Sequence, residues 1–167
     1  MKLTPTEIIK KFNLQPNTAE GGYFASTYPA PGTANPPCSA IYYFLEHHGC
    51  SVLHRVSSDM LYHFYDGDPV EMLLLYPEGH QPQTEVCVFS NDLAHGGQPM
   101  KVIPAGTWLG SRIKSGHHYA LMCVSMAPPF DAKTYEIGNR DALVKAYPEQ
   151  KALITALTPD PNPTGKP

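Results

Sequence analysis

Of the eight histidines in this chain, His54 stands where an imidazole could do acid–base chemistry. In the run Ser51-Val52-Leu53-His54-Arg55-Val56, strand alternation sends Val52, His54 and Val56 to one face and Leu53 and Arg55 to the other. An imidazole on an otherwise apolar wall has two uses. It can be a hydrogen-bonded core residue, or it can take a proton from a bound molecule near neutral pH and return it. Asp59 could orient His54 and fix its tautomer, or it could pair with Arg55 at the strand end. Tyr62 is a candidate hydrogen-bond donor or acid.

Binding groups are drawn from the same region. Tyr43, Trp108 and Tyr119 fall on expected strands and would give a cavity flat apolar walls with polar tips, suited to a base, a sugar or another small ring. Arg112 and Arg55 are the cations on offer to an anionic ligand. Met60, Tyr62 and Phe64 share one face of their strand and Leu61, His63 and Tyr65 the other, so only one set can line a cavity; His63 remains a candidate ligand contact. The pairs His47-His48 and His117-His118 are sequence neighbours whose side chains should point apart, which makes them poor chelators. The four cysteines, Cys38, Cys50, Cys87 and Cys123, form no CxxC pair and are expected to be small buried hydrophobes. No metal and no other cofactor is expected. Glu20-Gly21-Gly22 could cradle a phosphate, but no helix follows it; the glycines are better suited to bending the first strand onto a sheet edge.

The elements that must position these groups are strands. From Ser39 to Met126 the chain reads as Ser39–Leu45, Ser51–Val56, Met60–Tyr65, Val70–Tyr76, Glu85–Phe89, Met100–Ile103, Thr107–Ile113 and Tyr119–Met126, separated by turns such as His48-Gly49 and Asp66-Gly67-Asp68-Pro69. Short strands at this spacing without intervening helices predict an antiparallel sandwich or barrel. A helix precedes them, because Thr4-Pro5-Thr6-Glu7 combines an N-cap, a proline at the first helical position and a capping-box glutamate. Two helices follow, one capped by Asn139 and running to about Ala146, the other starting at Pro148 and ending near Leu157. Residues 1–157 read as one domain. The stretch from Thr158 to Pro167 holds four prolines and is expected to be a disordered tail.

Composition narrows the classes of function. With 12 Lys and Arg against 15 Asp and Glu, none of them clustered, neither nucleic acid nor an anionic membrane is an expected partner. The N-terminus lacks the apolar core of a signal peptide and no run of 18 apolar residues occurs, so a cytoplasmic location is expected.

The stretch Gly49 to Pro69 resembles the first motif of the cupin superfamily, with His54 at its first histidine, Val56 at the second, Met60 at its glutamate and Gly67 at its closing glycine. Pro104-Ala105-Gly106-Thr107-Trp108-Leu109 resembles the second, with Leu109 in place of a histidine. Further matches at Glu20 to Phe24, Ser39 to Leu45 and Ala127 to Asp131, running into Tyr135-Glu136, make the chain similar to a cupin branch known as a domain of unknown function and related to nucleotide-sugar 3,5-epimerases. The resemblance implies a mainly β fold, a double-stranded β-helix or jelly-roll barrel with helices at both ends. It also implies a homodimer and a base at His54. The branch usually carries an acidic residue at Met60 and a tryptophan at Tyr62, so a carboxylate is missing from its usual place. The expectation is a barrel that binds a small polar metabolite, either as a metal-independent isomerase, epimerase or lyase with His54 as base, or without turnover as a binding or structural protein.

Overall fold

The computed structural model describes residues 3–116 and 118–159. Helix α1 (Pro5–Lys11) opens as its sequence demands: the Thr4 hydroxyl accepts from the Glu7 N–H, and the Glu7 carboxylate accepts from the Thr4 N–H at 2.8 Å. After it come β1 (Gln15–Pro16), β2 (Tyr23–Tyr28), β3 (Ser39–Glu46), β4 (Cys50–Arg55), β5 (Asp59–Gly67), β6 (Val70–Leu75), β7 (Thr84–Phe89), β8 (Met100–Ile103), β9 (Trp108–Ile113), β10 (Tyr119–Ala127) and β11 (Glu136–Ile137), then α2 (Arg140–Ala146) and α3 (Lys151–Ala156). Two antiparallel sheets face each other, one ordered β1-β2-β3-β10-β5-β8 and the other β11-β4-β9-β6-β7.

Alternation decides what fills the space between them. Tyr43 and Leu45 of β3, Met60, Tyr62 and Phe64 of β5, Leu109 of β9 and Met122 of β10 point inward and form the main core. Strand β6 has no polar face in its second half, because Met72 and Leu74 enter this core while Leu73 and Leu75 pack outward beneath α2 and α3. That outer cluster joins Leu53 of β4 to Leu143, Ile154 and Leu157. Leu53 is fully buried, so Leu53→Ala should cost about 2–5 kcal/mol. Urea denaturation should show a lower midpoint with an unchanged slope. A third cluster, including Ile8, Leu14, Phe44 and Tyr119, seats α1 on the outer face of the larger sheet.

The expected strands between Ser39 and Met126 all form, with ends moved by one or two residues. Strands β1 and β11 were not expected; two residues are too few to show a period. Thr158 belongs to the packed structure rather than to a tail, since its hydroxyl donates to the Ile154 carbonyl at 2.7 Å and its own oxygens accept from Arg140. The rest of the expected tail, from residue 160 on, lies outside the described residues, as does His117. Of the cysteines only Cys87 is fully buried; Cys38, Cys50 and Cys123 are half-buried. His47 and His48 do not point apart: they sit at the β3–β4 turn, off the strand pleat, and their ring centroids lie 4.5 Å from each other. Among the described residues no helix is long and apolar enough to cross a membrane.

Candidate active site

Strand β4 carries a bulge that shapes the site. Its register with β9 pairs Ser51 with Ser111 and then His54 with Leu109, so one extra residue lies between them. A bulge of this kind re-aims side chains and frees backbone groups from the ladder. The freed groups of Val52 are both used: its N–H donates to the Glu20 carbonyl at 2.8 Å, and its carbonyl meets His54 Nδ1 at 2.8 Å. One residue thus holds the backbone of Glu20 and the ring of His54.

Glu20 reaches His54 through the turn that follows it. Gly21 and Gly22 have φ of 96° and 71°, and their backbones lie directly on Cys50 of β4 and Phe44 of β3. Side chains there would collide with both strands. The Tyr43 hydroxyl donates to the Gly21 carbonyl at 2.8 Å and pins the turn. Glu20 Oε2 then lies 3.3 Å from His54 Nε2, both side chains being at most a tenth exposed. Strand β11 supplies the third member. It pairs Ile137 with His54 and Glu136 with Arg55, which stacks the Tyr135 ring on the His54 imidazole, centroids 5.4 Å apart, and lets its hydroxyl donate to Glu20 Oε2 at 3.1 Å.

The arrangement fixes where protons can be. A carbonyl oxygen only accepts, so His54 Nδ1 carries a hydrogen; Nε2 faces a carboxylate oxygen, which also accepts. At 3.3 Å, Nε2 and Oε2 are within ion-pair range, so a proton on either one lies next to the other. Burial, followed by the charge of Glu20 and its hydrogen bond, pushes the Tyr135 phenol far above its ordinary value, so it remains a neutral donor. Burial and Glu20 act on Tyr62 in the same direction.

These groups line one cavity of about 550 Å³, within the usual range for ligand sites. Phe24, Tyr28, Phe130 and Tyr135 form aromatic walls, Val56, Met60 and Val124 an aliphatic floor, and Asn17, Ser26 and Ser39 contribute polar atoms. Tyr28 and Phe130 are partly open to solvent and stand at the rim.

Of the residues expected at the site, His54 and Tyr62 line the cavity and the others do not. Asp59 accepts from the Ala105 N–H at 2.8 Å and orients neither His54 nor Arg55. Arg55 instead pairs with Glu136 at 2.7 Å and lies over the Trp108 ring. Trp108 and Arg112 alternate with the inward Leu109 and so face outward, Trp108 against the helical cluster and Arg112 to Glu71 at 2.8 Å. His63 is on the outer face of β5 for the same reason. Tyr119 donates to Asp66 at 2.6 Å and stacks on Phe44 behind the sheet; burial and that carboxylate push its phenol up to about 12. Tyr43 is core, and its part is to pin the turn. With Met60 where the branch usually has an acidic residue, the carboxylate on the cavity wall is that of Glu20, from outside the motif.

The donors do not fit a cupin metal. Val56, Met60 and Leu109 hold the other ligand positions, which leaves His54 and Glu20, two donors where three or four are needed. Among the described residues no three of His, Cys, Asp and Glu come together around one point.

The family model described as Cupin superfamily (DUF985) matches residues 6–138. The chain belongs to this family. The DUF985 fold recurs in protein SO0799 from Shewanella oneidensis, at 26% identity over 95% of this chain and 99% of that one, with a TM-score of 0.83. A hypothetical protein from Leishmania major is similar at 21% identity over 95% and 100%, with a TM-score of 0.82. Pac13, a nucleoside dehydratase from Streptomyces, shares the barrel at 13% identity over 75% and 85%, with a TM-score of 0.51. No curated protein matches the chain.

Proposed function

We propose that this DUF985 cupin binds a small polar metabolite in its cavity and acts on it by metal-independent proton transfer, as a lyase or an isomerase. The observation that carries the reading is the buried contact of Glu20 Oε2 with His54 Nε2 at 3.3 Å, on the wall of the cavity. The sequence alone suggests His54 as the base. With both ring nitrogens engaged, the atom that faces a ligand is the remaining oxygen of Glu20, and His54 is the partner that supplies and takes back a proton.

Such a pair can accept one proton and return one without a net change. Glu20 removes a proton from carbon next to a carbonyl, and the electron pair moves onto the carbonyl oxygen, where the neutral Tyr62 hydroxyl donates to the developing charge. Return of the proton after the planar intermediate has turned its other face to Glu20 gives the epimer. Delivering it to a β-hydroxyl, which leaves as water while the electron pair closes the double bond, gives the dehydrated product. Pac13 lends support to the second course: it is a dehydratase of the same fold, and its uridine-bound structures carry a histidine-to-glutamine or a tyrosine-to-phenylalanine change.

His54→Ala is the test on any activity found. Lost turnover with ligand affinity retained is the expected result; undiminished turnover removes the pair from the chemistry.

A further inference from the structure

We propose that the cavity selects an uncharged ligand that carries a flat ring, of the kind a nucleoside or free base presents, and rejects phosphorylated molecules. The inference rests on the reading that the cavity binds a metabolite, not on the proton transfer. Its basis is the make-up of the wall: of all the lining residues, none is Lys or Arg, and the carboxylate among them is that of Glu20, set against His54. A phosphate held in a barrel needs cationic or clustered N–H donors. Here its charge would lose water on a wall that has no Lys or Arg to replace it.

The two arginines that a sequence reading would offer to an anion are committed elsewhere. Arg55 holds Glu136 and covers Trp108, and Arg112 holds Glu71, both on the outer side of the sheet. The Gly21-Gly22 turn does not serve as a phosphate cradle either. The Gly21 N–H donates to the Asn17 carbonyl at 2.9 Å, and both glycines lie against neighbouring strands. What the cavity does offer is aromatic surface at Phe24, Tyr28, Phe130 and Tyr135, which suits the face of a ring. The anionic substrate class implied by the likeness to nucleotide-sugar epimerases is therefore the one this wall disfavours.

Calorimetric titration of the purified protein with uridine, uracil, adenosine, their 5′-monophosphates where these exist, and ribose 5-phosphate is the test. Saturable binding of at least one uncharged member is expected, with its monophosphate weaker by about tenfold or more. Equal or tighter binding of a monophosphate, binding of ribose 5-phosphate alone, or no binding by any uncharged ring overturns the proposal. His54→Ala separates the two readings: discrimination retained without turnover is the expected result, whereas discrimination retained with full turnover leaves ligand selection standing and sinks the proton transfer.

Discussion

Glu20→Gln should lower turnover by roughly 10²–10⁴-fold, the usual contribution of a positioned acid or base, while leaving the protein folded. The amide matches the carboxylate in size and can still accept from Tyr135, so the turn and the aromatic stack are kept. What disappears is the carboxylate charge and with it the second oxygen that takes the proton in the proposed reaction; the amide oxygen can still face both Tyr135 and His54 Nε2. Because the proposed proton transfer uses the two side chains as a unit, His54→Gln should cost a similar factor, and the double variant should be little worse than the poorer single one. Losses that multiply would mean that the residues act independently. A Glu20→Gln enzyme within a few-fold of wild type would remove the carboxylate from the reaction. Tyr135→Phe deletes one donor to Glu20 and should be milder, roughly tenfold, through a carboxylate less firmly placed.

The reach of the sequence ended at definite residues. Strand positions and helix caps were readable because alternation, turn residues and the Thr4–Glu7 box are local signals. His54 was readable by the same alternation. Glu20 and Tyr135 were not, since they come from segments that touch β4 only after the sheets have formed. Each left a trace: Glu20 precedes the two glycines that let it cross β4, and Tyr135 precedes a strand that pairs with His54 itself. Proximity in sequence misled in the case of Asp59, whose carboxylate is spent on the Ala105 N–H. Alternation also decides which residues stay outside the barrel. With Leu109 turned inward, Trp108 and Arg112 must face outward, and with Tyr62 inward so must His63.

The turn that aims Glu20 makes the second large prediction. Gly21 has a φ of 96°, which side chains rarely adopt, and a Cβ there would stand 2.2 Å from the Cys50 carbonyl oxygen. Backbone cannot yield as a flexible side chain would. Gly21→Ala should therefore cost about 2–4 kcal/mol, from strain at the positive φ together with the displacement of the turn from β4. Gly79→Ala is the matched control. It has a φ of 88° with nothing within 4 Å of the added atom, so it carries the strain without the collision, at about 1–2 kcal/mol. Urea denaturation of the two variants isolates the contact with β4; equal losses would show that the contact contributes nothing. The fraction of Gly21→Ala that remains folded should also lose turnover, since moving the turn moves Glu20 away from His54 and breaks the hydrogen bonds from Tyr43 and Val52 that hold residues 20 and 21. Gly79 lies in the β6–β7 turn, apart from the cavity, and its variant should keep full activity once allowance is made for the folded fraction. Stability and activity therefore meet at Gly21 for one reason: the backbone that must pass closest to β4 is the backbone that carries the proton acceptor.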